Sequence, residues 1–374
     1  GAMTLTATAC ESQTELLAAQ GAPSNMKAKL LCLYTGGTMG MKHNSAGMLE
    51  PIPGYLTEQI QDILNCHTSE ALPDTTVVEY DTLLDSCDMN PENWKKIALD
   101  IQDNYQSYDG FLVIMGTDTM AYLASALSFM LENLGKTVVV TGSQIPFVKT
   151  YSDARRNLLS SMTLACSLDI PEVTLFFDDK LHRGNRSRKA DSGSFDAFSS
   201  PNFPPLATMG LSVQVNKQLL LPQPKARFKV HTTMDFRVVV IKYVPYFDTN
   251  ALMRLAKHGG ATCRAIVLEL YGTGNGPQND ERLLSALHVA RQNGIVVVIT
   301  SQCAAGSVLS TTYSINHHLT SIGVVPAGDM TTEATCAKLA YLFGKGLSPD
   351  AVATSLTVNL RGEIGNFSQG AQAK

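Results

Sequence analysis

Charge is scarce in this chain. Asp, Glu, Lys and Arg make up 17% of its 374 residues, and 29 basic against 33 acidic side chains leave a net charge of −4. An average soluble protein carries about 25% charged residues, so part of the surface is expected to be covered by subunit contact. The balance of signs argues against a dedicated nucleic-acid binder, which needs a basic patch, and leaves no field to draw in a polyanion. Long apolar runs are missing as well. Gly110–Met115 and Gly294–Thr300 are each the length of a strand, not the roughly 20 residues of a membrane helix. None of the eight cysteines forms a CxxC pair, which speaks against a zinc site or disulfide framework and for reduced thiols in the cytoplasm. The eight histidines are scattered, and the adjacent His317 and His318 point different ways, so no metal is expected. The N-terminus shows neither a charged n-region with an apolar core nor any arginine, the marks of secretory and mitochondrial leaders. Gly1-Ala2 reads as a tag scar, and residues 1–26 as a polar, aperiodic, flexible extension.

What is present is an alternation. At about 150 residues per domain, the length predicts two domains. Strand patterns at Lys29–Tyr34, Phe111–Met115, Val138–Thr141 and Val173–Phe177 alternate with helical patterns at Pro91–Tyr105, Met120–Leu134 and Asp153–Ala165. Asn90 is placed to cap the first of these helices, with Pro91 at its first turn. A polar, proline-containing stretch follows, and the alternation resumes. Strands are expected at Val238–Tyr243, Ala265–Tyr271 and Ile295–Thr300, with helices at Ala251–His258, Glu281–Asn293, Thr332–Phe343 and Asp350–Asn359. The reading is α/β: two domains with mostly parallel sheets covered by helices, the first domain larger. Their expected bounds are 27–214 and 237–374, with 215–236 as linker.

Three polar clusters stand where strands end: TGGT (Thr35–Thr38), DSCD (Asp85–Asp88) and GTDT (Gly116–Thr119). Ligands of open parallel sheets bind at the carboxyl ends of the strands, so three such loops point to one site. Familiar alternatives fail on spacing. A P-loop needs Lys directly after its last Gly, but Gly40 is followed by Met41. Gly272, Gly274 and Gly276 lack the dinucleotide spacing, and no GxSxG elbow occurs. Hydroxyl chemistry remains. Thr38 is a candidate nucleophile on a glycine-rich loop, and Thr117 with Asp118 adds a second hydroxyl and a carboxylate. A threonine hydroxyl is weak until a base takes its proton. The basic segment Leu181–Ser192 offers Lys189 as the buried candidate. A lysine withdrawn from water can act as a base, whereas a neighbouring carboxylate favours its charged form, so the proton relay stays open at this point.

These residues carry a resemblance. YTGGTMGM (Tyr34–Met41), LLDSCDM (Leu83–Met89), MGTDTMAYLASALSFMLENLGK (Met115–Lys136), VTGSQIP (Val140–Pro146), RGNRSRKAD (Arg183–Asp191), YGTGNGP (Tyr271–Pro277) and GDMTTEA (Gly328–Ala334) together resemble the L-asparaginase family, type I cytoplasmic branch. The resemblance spans roughly 27–362. It implies a large N-terminal α/β domain, a linker and a smaller flavodoxin-like C-terminal domain. It also implies that L-asparagine is hydrolysed to L-aspartate and ammonia, with no metal or cofactor. Thr38 matches the acylated threonine, and Thr117, Asp118 and Lys189 match the second, base-bearing set. Gly37, Asp85, Ser86 and Cys87, with Thr117 and Asp118, fall where substrate is held. Tyr313 matches a tyrosine donated by a neighbouring subunit, so the active unit implied is a homodimer or a dimer of dimers.

The match has departures. Cys87 stands where many relatives have serine, which leaves its thiol or its backbone N–H as the donor. Met48 falls near a position where another subfamily has a catalytic tyrosine. Glu269 replaces an arginine of a bacterial effector site, while Cys303 near it matches. The readings kept beside asparagine hydrolysis are glutamine or broad amide hydrolysis and a catalytically silent amino-acid-binding homologue. A role in tRNA-dependent amidation would need a longer partner-binding insertion than the chain has.

Overall fold

The computed structural model describes residues 27–66, 72–277, 280–308 and 319–365. The larger domain runs β1 (Lys29–Gly36), α1 (Tyr55–Cys66), β2 (Asp74–Leu84), α2 (Pro91–Asn104), β3 (Gly110–Ile114), α3 (Met120–Met130), β4 (Val138–Thr141), α4 (Ala154–Ser167) and β5 (Val173–Phe177). Three short strands, β6 (Lys180–Arg183), β7 (Ala207–Met209) and β8 (Val213–Val215), complete an eight-stranded sheet. Its order is β8-β7-β6-β5-β4-β3-β1-β2. The strands from β5 to β2 are parallel, and β6, β7 and β8 are antiparallel additions. The inner strands β3, β4 and β5 are buried throughout, as apolar runs covered on both faces should be. Asn90 caps α2 by accepting from the N–H groups of Glu92 and Asn93, and the Asn93 side chain returns the bond.

The smaller domain runs β9 (Val238–Lys242), α5 (Thr249–His258), β10 (Ala265–Leu270), α6 (Glu281–Gln292), β11 (Val296–Ser301), β12 (Val325–Pro326), α7 (Thr332–Gly344) and α8 (Pro349–Leu356). Its four strands lie parallel and in chain order. Right-handed crossovers that always step the same way put their helices on one face. Accordingly α5 and α6 pack with Ile266, Leu268, Val297 and Ile299. The opposite face, Val267 and Val298, joins α7, α8, α2 and α3 in one apolar core that runs through both domains. The flavodoxin-like order 2-1-3-4-5 is therefore found in the larger domain, as β2-β1-β3-β4-β5. The described strands of the C-terminal domain keep the parallel α/β layering expected of it, in sequential order.

Two helix ends differ from expectation by more than about two residues. The chain leaves α3 at Met130, not Leu134, and Leu131–Glu132 pair with Lys229–Val230 instead. A helix buried on every side carries no polar signal for where it stops. Likewise α8 ends at Leu356 rather than Asn359, where the buried Lys338 ammonium takes the carbonyls of Leu356 and Val358.

The segment that carries Lys189 is fastened across the domain boundary. Buried Arg186 forks onto the Asp329 carboxylate at 2.9 and 2.6 Å and donates to the Glu363 carbonyl at 2.6 Å. Arg183 pairs with Glu172 and donates to the Gly362 carbonyl, and Asn185 donates to that of Arg361.

Candidate active site

The order β2-β1-β3 places the switch point of the larger sheet between β1 and β3, where crossovers leave in opposite directions and a crevice opens. The loops after β1, β2 and β3 meet there. Gly37 has φ 85 and ψ 177, a conformation essentially restricted to glycine. A Cβ on Gly37 would stand 2.1 Å from the Gly116 nitrogen, and one on Gly116 would stand 2.7 Å from Ser86 Oγ. These glycines let the three backbones touch, and each is followed by a site threonine, Thr38 and Thr117. Gly37→Ala is expected to lower stability by about 1–3 kcal/mol through its backbone alone, and further as the loops separate. Gly47→Ala, at φ +77 with nothing within 4 Å, isolates the backbone share. Denaturant unfolding of both compares them, and equal losses would deny the close approach.

Thr38 opens a short 3-10 turn and is half-buried, whereas Met39 and Gly40 after it are buried. Among the described residues, no group bonds the Thr38 hydroxyl. Thr117 is buried before the start of α3. Lys189 lies on a short ribbon pairing Arg188–Lys189 with Phe198–Ser199. Its ammonium donates to Thr117 Oγ1 at 2.8 Å and to Asp118 Oδ1 at 2.6 Å. The Lys189 side chain is 19% exposed and that of Asp118 57%. The Lys189 bond holds the Asp118 carboxyl below its ordinary range, so it is a carboxylate at neutral pH.

The loop after β2 supplies the rest. Ser86 is buried, and its Oγ accepts from the Asp118 N–H at 3.2 Å. Thr119 Oγ1 donates to the Ser86 carbonyl. The backbone N–H of Cys87 is taken by Asp85 Oδ1 at 3.0 Å, and its thiol donates to Asp118 Oδ2 at 3.4 Å. Of the two donors expected of Cys87, the thiol is thus the one that faces the site. Bonding to Asp118 and Asp85 pushes that thiol up to about 11, which keeps the S–H intact at neutral pH. Asp85, Cys87 and Asp118 bring ligand atoms within 4.8 Å of one another, an exposed electronegative rim.

The structure thus gathers Gly37, Thr38, Asp85, Ser86, Cys87, Thr117, Asp118 and Lys189 around three adjoining loops. Tyr313 lies outside the described residues. Met48 is 63% exposed at the tip of the hairpin after the Thr38 turn. Glu269 accepts from Thr332 Oγ1 at 2.7 Å in the smaller domain, and Cys303 is exposed. Sequence reasoning passed over Gln144. Its Oε1 lies 3.2 Å from Thr117 Oγ1, and its position inside VTGSQIP, just after β4, was the signal available.

Fold and site define a two-domain α/β protein whose crevice joins hydroxyl, ammonium and carboxylate side chains at a topological switch point. The chain belongs to the asparaginase family. Residues 29–221 match the model "Asparaginase, N-terminal", and residues 237–356 match "Glutaminase/Asparaginase C-terminal domain". It is 42% identical over 338 residues to L-asparaginase 1 of Escherichia coli K12, covering 90% of this chain and 98% of that one. It is 39% identical to a 60 kDa lysophospholipase of Mus musculus, spanning 90% of this chain and 62% of the relative. The crystal structure of L-asparaginase I from Vibrio cholerae superposes with a TM-score of 0.83 at 41% identity, covering 91% of this chain and 100% of that one.

Proposed function

We propose that this protein is an L-asparaginase that hydrolyses L-asparagine to L-aspartate and ammonia through an acyl-enzyme on Thr38. The observation that carries the reading is Lys189, which joins Thr117 and Asp118 beside the Thr38 loop. The electronegative rim of Asp85 and Asp118 suits the substrate's α-ammonium, and the Ser86 hydroxyl suits its α-carboxylate. With that end fixed, the side-chain amide reaches Thr38. The Thr38 oxygen bonds to the amide carbon, the nitrogen departs as ammonia with the hydroxyl's proton, and water cleaves the resulting β-aspartyl ester. The Gly37 N–H is taken by the Leu84 carbonyl, which leaves the Thr38 N–H of the glycine loop as the backbone donor for the oxyanion. Thr117, with Lys189 against it, is the group placed to orient the hydroxyl or water that attacks.

The reading includes a homodimer or dimer of dimers with Tyr313 reaching a neighbour's site. It also places the protein in the cytoplasm, in keeping with the free thiols of the seven described cysteines.

Ammonia release from asparagine and from glutamine tests the function. With the α-groups anchored, one extra methylene misplaces the carbonyl, and asparagine should lead in kcat/KM by about 10–200-fold. Equal values would favour a broad amidohydrolase. No ammonia from either substrate would favour a silent binding homologue.

A further inference from the structure

We infer that Gln144 is a positioning residue that fixes the direction of the Thr117 hydroxyl; this rests on the reading of Thr117 and Lys189 given above. An ammonium can only donate. Lys189 Nζ therefore donates to Thr117 Oγ1, and the one proton of Thr117 must serve its other neighbour, Gln144 Oε1, at 3.2 Å. The amide of Gln144 cannot be reversed. Its nitrogen sits 3.1 Å from the Ser194 carbonyl, which can only accept. All donors consequently point one way, from Lys189 through Thr117 and Gln144 to Ser194.

Gln144 is itself held. Its backbone N–H and that of Ile145 both donate to the Asp153 carboxylate at the start of α4. Asn157 Nδ2 also donates to that carboxylate, at 3.2 Å. The turn after β4 thus presents an amide oxygen at a fixed place, and that oxygen takes the Thr117 proton. With its proton committed to Gln144 and one lone pair to Lys189, the Thr117 oxygen keeps a lone pair free. That lone pair is what an attacking hydroxyl or water can donate to. Without Gln144, the Thr117 hydroxyl can turn its proton into the space where that attacker must sit.

Two substitutions test this in the full-length protein. Gln144→Met keeps the volume and removes both polar bonds. It should lower kcat about tenfold, the rate equivalent of one neutral hydrogen bond, with KM for asparagine unchanged within about twofold. Gln144→Glu adds a pH signature. As a carboxylic acid, Glu can donate to the Ser194 carbonyl and accept from Thr117, reproducing the amide; as a carboxylate it faces that carbonyl with a second acceptor. The ratio of its kcat to that of the wild type should approach one at low pH. It should then fall about tenfold as pH rises through a carboxyl pKa lying above the ordinary value of about 4.3. A side chain that merely filled space would give a flat ratio. Should Gln144→Met fold poorly, the Gln144→Glu ratio still decides, since one protein is then compared across pH. A flat ratio, or a Gln144→Met enzyme with wild-type kcat, overturns the inference. Thr117→Ala is measured alongside. If it stays active, the underlying reading of the site falls. If it is inactive while Gln144→Met matches the wild type, only the positioning role falls.

Discussion

Thr38→Ala should abolish asparagine turnover, by more than about 10⁴-fold, with a stability close to wild type. The size follows from covalent catalysis: without the hydroxyl no ester forms, and only binding and oxyanion contacts remain. The intact stability follows from the turn. Thr38 is half-buried, and among the described residues its hydroxyl bonds to nothing, while the anchoring falls to buried Met39 beside it. Lys189→Met should be comparably severe, and the double variant hardly worse, since Thr38 and the Lys189–Thr117 pair that orients its attack act as a unit. Steady-state kinetics and denaturant unfolding on the same preparations check both halves. A Thr38→Ala enzyme with near-normal kcat would sink the assignment. Accumulation of a β-aspartyl mass increment on Thr38 with a slow substrate would support it.

Mixing two inactive variants should restore activity. The motive is the proposed role of Tyr313 as a residue donated between subunits, together with Met48, an exposed thioether near the position expected for another subfamily's local tyrosine. In an isologous dimer each interface holds two equivalent sites. Thr38→Ala and Tyr313→Phe, unfolded and refolded together, give about half mixed dimers, each with one doubly damaged and one undamaged site, so roughly a quarter of wild-type activity should return. If Tyr313 serves its own chain, every site keeps one lesion and nothing returns. Native mass spectrometry confirms that mixed dimers formed, and their inactivity would end the shared-site reading.

Much of the fold was legible because the strands are extreme. Phe111–Met115 has no polar residue and Val138–Thr141 only its terminal threonine, and α2 announces itself through Asn90 and Pro91. The edge was not legible. β2 is an 11-residue strand of mixed polarity with half-exposed alternation, and α1 before it lacks a Pro or Asn start signal. The three site loops could be named from the sequence because each carries hydroxyls or acids in a short run beside a legible element, two of them after strands and the Asp85 loop just before the capped start of α2. Their contact could not be, since it depends on Gly37 and Gly116 meeting across two strands. Gln144 escaped for a related reason: an amide beside a proline turn looks like any polar loop residue until Thr117 is placed against it.

The fastening of the Lys189 segment has a consequence for the growing chain. Arg186 donates to Glu363, 177 residues later in sequence. At ribosomal rates of about 5–20 residues per second, that bond cannot form until roughly 10–35 s after Arg186 is made. Throughout that interval the threonines, Asp118 and Lys189 already exist. The buried arginine beside them still lacks Asp329 and Glu363, and an unpaired guanidinium does not stay buried. The nascent enzyme therefore carries its chemistry long before it can arrange it. The segment that bears Lys189 is fixed in place only after Asp329 and Glu363 have emerged and paired with Arg186.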